Sequence, residues 1–213
     1  MLYWFLKILL TIPLKLLYPV KVLGKKNYVK KGGVIQICNH RTMADPIVVA
    51  LYQRRRVYFL GKIEIFKKFF IRSFLKALGA IPVNRANVGV STMKTVVKTL
   101  KKGKAMLIFP EGRRNTDEQA KMQELKNGIA AFSLMAKVPI SPVIMLKSPK
   151  IFRKNYIIMG EPIILEEFYK ERPTGDVLEK INKIVTDKMQ LLQNELQEYY
   201  DNRKRKKKLP TMA

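Results

Sequence analysis

With 213 residues the chain is long enough for one substantial core, and its 47 % hydrophobic content excludes wholesale disorder. Its 42 Lys and Arg against 16 Asp and Glu leave a net charge of +26, which points to polyanionic partners: nucleic acid, an anionic membrane, or acidic substrates and carriers. One cysteine allows no intramolecular disulfide and fits a reducing, intracellular setting, and with one histidine it cannot build the usual His/Cys zinc site.

Residues 1–23 are mostly apolar, but Lys7, Lys15 and Lys21 interrupt them before the roughly 20 clean residues of a membrane span accumulate. On a helix Lys7, Thr11 and Lys15 form one polar stripe, with Trp4, Phe5, Ile8, Leu9 and Ile12 on the remaining surface. The pattern predicts an interfacial helix over residues 1–24, basic side to the headgroups; its alternative is a helix docked on the domain. A secretory signal fits less well, since no charge precedes the apolar region and no small-x-small site closes it.

Next come a strand over 33–38, a helix over 46–53, a strand over 56–60 and a helix over 64–78. In that second helix Lys68, Arg72 and Lys76 share one face and Phe66, Phe70 and Phe74 another. An aromatic face at this spacing is expected in the core, although two basic amphipathic helices in one small chain favour a membrane surface. A strand over 80–83, a helix over 88–101 stopped by Gly103, a strand over 105–109 and a helix over 122–136 continue the series. Strands over 140–146 and 156–159 precede a helix over 175–200 striped with Leu178, Ile181, Val185, Met189, Leu192 and Leu196. This alternation predicts a single layered α/β domain over 25–202, with a mostly parallel mixed sheet flanked by helices. Residues 203–213, with six consecutive basic residues from Arg203 to Lys208, read as a solvated basic tail able to meet anionic lipid or RNA.

The chemistry concentrates after the 33–38 strand, in Asn39-His40-Arg41-Thr42-Met43-Ala44-Asp45. Histidine titrates nearest neutrality among unperturbed side chains, and an acidic neighbour can fix its tautomer, as a general base needs. On a continuous helix positions i and i+5 lie about 140° apart. His40 and Asp45 therefore meet only if His40 precedes the helix, a break that Pro46 favours. Cys38 as nucleophile is the weaker idea, because it ends an apolar run and reads as a small buried residue.

Asn39-His40 with Asp45 resembles the His-x4-Asp motif of the glycerolipid acyltransferases, the group typified by bacterial 1-acyl-glycerol-3-phosphate acyltransferase. Three further blocks follow in that family's order. Gly79-Ala-Ile-Pro-Val-Asn-Arg85 resembles its second motif, Phe109-Pro-Glu-Gly-Arg-Arg114 its third, and Val138-Pro-Ile-Ser-Pro-Val143 its fourth. The resemblance implies acyl transfer from acyl carrier protein or a coenzyme A thioester to the sn-2 hydroxyl of lysophosphatidic acid, with His40 and Asp45 as a general-base dyad. It implies Arg85 and Arg114 as the phosphate clamp, Glu111 orienting that arginine or hydrogen-bonding the glycerol, and Gly112 allowing close backbone approach. Lys62 matches more loosely as a third cation. No metal or cofactor is called for, since the thioester is already activated.

Arg113 stands where the family usually has threonine, which leaves open a related enzyme acting on another lysophospholipid or on glycerol-3-phosphate. The expected setting is the cytoplasmic face of the cell membrane, peripheral or monotopic, on an anionic surface. A nucleic-acid-binding module would explain the charge and the tail. It would not explain the apolar N-terminal helix or the His-x4-Asp spacing, and nucleic acid is not the expected partner.

Overall fold

A computed structural model describes residues 2–84, 89–111, 125 and 127–208. Helix α1 (Leu2–Leu17) leads into β1 (Val20–Leu23), β2 (Val34–Cys38), α2 (Asp45–Leu51), β3 (Val57–Lys62), α3 (Phe69–Ala77), β4 (Ala80–Val83) and α4 (Val90–Lys101). Then follow β5 (Ala105–Ile108), α5 (Gly128–Ala136), β6 (Ile140–Met145), β7 (Asn155–Met159) and α6 (Gly175–Lys208).

One seven-stranded sheet in the order β1-β7-β6-β2-β5-β3-β4 runs through the molecule. Strands β6, β2, β5, β3 and β4 are mutually parallel, β7 is antiparallel to β6, and β1 pairs parallel with β7. The predicted mostly parallel mixed sheet is therefore present. Its central strands read as mostly apolar runs, with Gln36 and Ser141 as polar exceptions, because helices cover both faces; every residue of β2, β5 and β6 is buried.

Right-handed crossovers assign the layers. The β2-to-β3 and β3-to-β4 connections step toward the β4 edge and put α2 and α3 on one face. The β4-to-β5 and β5-to-β6 connections step back and put α4 and α5 on the other. There Val96, Leu100, Ile129, Phe132, Ile181 and Met189 of α4, α5 and α6 pack on Ile35, Ile37 and Ile144 of the sheet. On the first face Val48 and Val49 of α2 meet Val34, Cys38 and Val143.

Four elements differ from expectation, each for a physical reason. β1 escapes the sequence reading because its four residues, Lys21 exposed among them, follow directly on the apolar N-terminal segment. In α1 Lys7 of the polar stripe turns inward while Lys15 stays exposed: Lys7 Nζ donates to the Gln53 carbonyl at 2.6 Å, and burial, with Lys15 as a lesser cause, lowers its ammonium pKa. Trp4, Phe5, Ile8, Leu9, Ile12 and Leu16 consequently point outward. The aromatic face of the 64–78 segment is not core: only Phe66, in a 3-10 turn, is buried, and α3 buries none of its residues. Finally, α6 continues through Lys208 instead of giving way to a separate tail. Arg and Lys are good helix formers and suit the negative end of the helix dipole, and Lys204 Nζ lies 4.8 Å from the Tyr200 ring.

Candidate active site

The parallel strands all end on one edge of the sheet, the usual location of a site in an open α/β fold. His40 stands two residues beyond β2, the strand flanked by β5 and β6. Asp45 opens α2, with Pro46 immediately after it. The chain turns between them, and His40 Nδ1 lies 2.9 Å from Asp45 Oδ2. Both are buried, at 6 % and 0 % exposure.

Asp45 is held from several sides. Its Oδ2 also accepts the backbone N–H groups of Arg41 at 2.5 Å and Thr42 at 2.7 Å, and its Oδ1 accepts the Thr42 hydroxyl at 2.7 Å. A carboxylate so engaged acts as acceptor, which puts the imidazole proton on Nδ1 and leaves the Nε2 lone pair for chemistry. The ring stacks on Phe109 at a centroid distance of 4.2 Å and an interplanar angle of 28°, fixing its second degree of freedom.

Two neighbours secure the loop. Asn39 Nδ2 donates to the Met145 carbonyl at 2.9 Å while its Oδ1 accepts the Met145 N–H at 2.8 Å. The side chain thus replaces a missing rung of the ladder between β2 and β6. Glu111 Oε1 accepts the His40 backbone N–H at 3.4 Å, so the Phe109–Glu111 turn after β5 grips the loop after β2. The sequence assigns Glu111 to an arginine or the glycerol; its contact to the His40 backbone was not anticipated. Nor were the stacked Phe109 and the buried Arg41, whose only sequence signal is closeness to His40 and Glu111.

Lys62 ends β3 on the same edge, exposed, with Nζ 3.5 Å from Glu64 Oε1, a surface pair of small energetic weight. Arg85, Gly112 and Arg114 lie outside the described residues; β4 and β5, which precede them, also end on this edge. Beneath the start of α2 an apolar cavity of about 190 Å³ is walled by Leu6, Leu10 and Leu14 of α1, by Pro46 and Ile47, and by Phe59 of β3.

Cys38 is fully enclosed, and burial pushes its thiol well above the ordinary range, with the Asp45 and Glu111 charges adding to the rise. The thiolate is the nucleophilic form, so Cys38 should not react with a charged thiol reagent near pH 8 until the protein is unfolded. Rapid labelling of the native protein would contradict this. Because the folded pKa is raised, the associated stability is whole below the ordinary thiol pKa and is lost as pH climbs through the raised value.

A sequence model described as Acyltransferase matches residues 19–146. A curated 1-acyl-sn-glycerol-3-phosphate acyltransferase from Bacillus subtilis is 31 % identical over 186 residues, covering 83 % of this chain and 89 % of its own length. One from Streptococcus pneumoniae is 27 % identical over 177 residues, 80 % of this chain and 64 % of that protein. The crystal structure of the 1-acyl-sn-glycerophosphate acyltransferase from Thermotoga maritima superposes with a TM-score of 0.62 at 24 % identity, covering 85 % of this chain and 72 % of the other, and shares its fold.

Proposed function

The chain belongs to the acyltransferase family, and from that membership we propose its reaction, the residues that carry it and its setting. It transfers a fatty acyl group to the sn-2 hydroxyl of 1-acyl-sn-glycerol-3-phosphate, the acceptor named in its curated relatives, and forms phosphatidic acid. The observation that carries this reading is the enclosed His40–Asp45 contact at the strand-end edge.

His40 Nε2 takes the hydroxyl proton as the oxygen attacks the thioester carbonyl. The tetrahedral adduct then expels the thiolate, which recovers that proton from the imidazolium. Asp45 keeps Nδ1–H in place and balances the imidazolium charge, and no protein nucleophile takes part. Glu111 steadies the His40 backbone. Arg85 and Arg114 bind the acceptor phosphate, whose geometry their guanidinium groups match; Gly112 admits close backbone approach and Lys62 adds a third cation.

The acyl donor is a thioester of acyl carrier protein or coenzyme A. Both are anionic, and a protein of net charge +26 attracts them together with the phosphorylated acceptor. The apolar cavity beside Pro46 suits hydrocarbon. The enzyme works on the cytoplasmic face of the membrane, with the outward apolar face of α1 in lipid. No helix among the described residues is long and apolar enough to cross a membrane, which supports attachment to one side.

The test is a purified assay with lysophosphatidic acid and labelled acyl-carrier-protein or coenzyme A donors, run against competing lysophospholipids and glycerol-3-phosphate. Labelled phosphatidic acid as the main product is expected. Arg113 favours a second reading with a different headgroup, and a preference for another acceptor would establish it.

A further inference from the structure

Helix α3 extends over nine residues without burying one of them. Phe69, Phe70, Ile71 and Phe74 are exposed by 70, 84, 44 and 47 %. The helix is nevertheless seated on the domain: Leu78, the residue after its end, walls the same cavity as Leu6 and Leu10 of α1, so both helices flank one hollow on one face of the sheet. The opposite layer, α4, α5 and α6, exposes only Val90, Met135 and Leu191 among its large apolar side chains. Among the described residues most of the exposed large apolar side chains belong to α1 and α3, as at a binding face.

Its chemistry narrows the occupant. At 100° per residue Phe70, Ile71 and Phe74 share one arc of α3, and Arg72, Ser73 and Lys76 fall on the opposite one. Lys67 and Lys68 precede the helix, all four cations are exposed, and α3 contains no acidic residue. An aromatic centre with a purely basic border matches an anionic lipid leaflet, apolar below and phosphate-bearing above.

We propose that α3 is a second bilayer-inserting element: Phe70 and Phe74 enter the acyl region, Arg72 and Lys76 meet lipid phosphates, and α1 and α3 together hold the protein at two points. This rests on the membrane setting given above and adds orientation to it. One helix leaves the domain free to rock about its axis. A second, on the connection between β3 and β4, fixes the tilt of the strand-end edge against the surface.

Trp4 is the sole tryptophan, so a Trp4→Phe, Phe70→Trp protein carries one reporter on α3. Bound to phosphatidylglycerol/phosphatidylcholine vesicles with brominated acyl chains, that tryptophan should shift to the blue and be strongly quenched. Phe70→Ser with Phe74→Ser should weaken partition onto these vesicles by at least about tenfold, yet keep parental turnover on acceptor dissolved in detergent micelles. An unquenched reporter on sedimenting vesicles overturns the proposal. So does a reporter shielded without lipid by concentration-dependent self-association, because a second copy of the chain would then cover this face. Loss of acyl transfer in the parent would fail the enzymatic reading and leave the quenching result standing.

Discussion

Replacing His40 by alanine should lower turnover with lysophosphatidic acid and an acyl thioester by at least about 10²-fold, the lower range for a positioned general base. The change removes the only imidazole, so no other histidine can take over its role. On the proposed mechanism binding should suffer less than chemistry, because there the arginines hold the phosphate and the hydroxyl proton leaves only in the transition state. The loss should therefore appear in kcat more than in KM. The ring's neighbours, Phe109 and the Asp45 carboxylate, remain, and circular dichroism should report an intact fold. Turnover close to parental would remove the base from the mechanism.

Asp45 permits a finer dissection. An asparagine there can place its amide nitrogen at the Oδ1 position, where the Thr42 hydroxyl turns to accept instead of donate, while its oxygen keeps the Oδ2 partners. Geometry and tautomer survive, and the lost quantity is the negative charge facing the imidazolium. A charge-assisted hydrogen bond contributes about 1.5–3 kcal/mol against about 1 for a neutral one, so Asp45→Asn should cost about 2- to 30-fold in kcat. Asp45→Ala instead strands the Arg41 and Thr42 N–H groups in a buried site. It should lower unfolding free energy by about 2–4 kcal/mol in addition to its kinetic effect. Denaturant midpoints and kcat measured on both variants separate the two roles. An asparagine variant with undiminished turnover would refute the electrostatic one.

Much of this was legible in the chain. The strand and helix alternation gives the sheet because the central strands are short, mostly apolar runs and most helices carry a 3.6-residue stripe. The pairing of His40 with Asp45 came from the resemblance to the family's four blocks, and Pro46 supported the break it needs by starting the helix that Asp45 opens. What stayed hidden depends on partners remote in sequence. Asn39 is ordinary until its side chain meets the Met145 backbone, 106 residues away. That Lys7 of the α1 stripe faces the domain was hidden because its partner, the Gln53 carbonyl, is invisible to periodicity. For α3 the aromatic spacing was read correctly, but the core does not receive that face: amphipathicity states that a face must leave water and is silent on whether protein or lipid takes it.

The position of β2 has a consequence for how the enzyme fails. All five of its residues are buried and it is hydrogen-bonded along both sides, so the backbone that presents His40 belongs to the most slowly opening part of the molecule. Fraying at the sheet edges or helix ends leaves the strand before His40 in place. Heat that displaces this strand must dissolve the central sheet, so its departure and the loss of the native state are a single event.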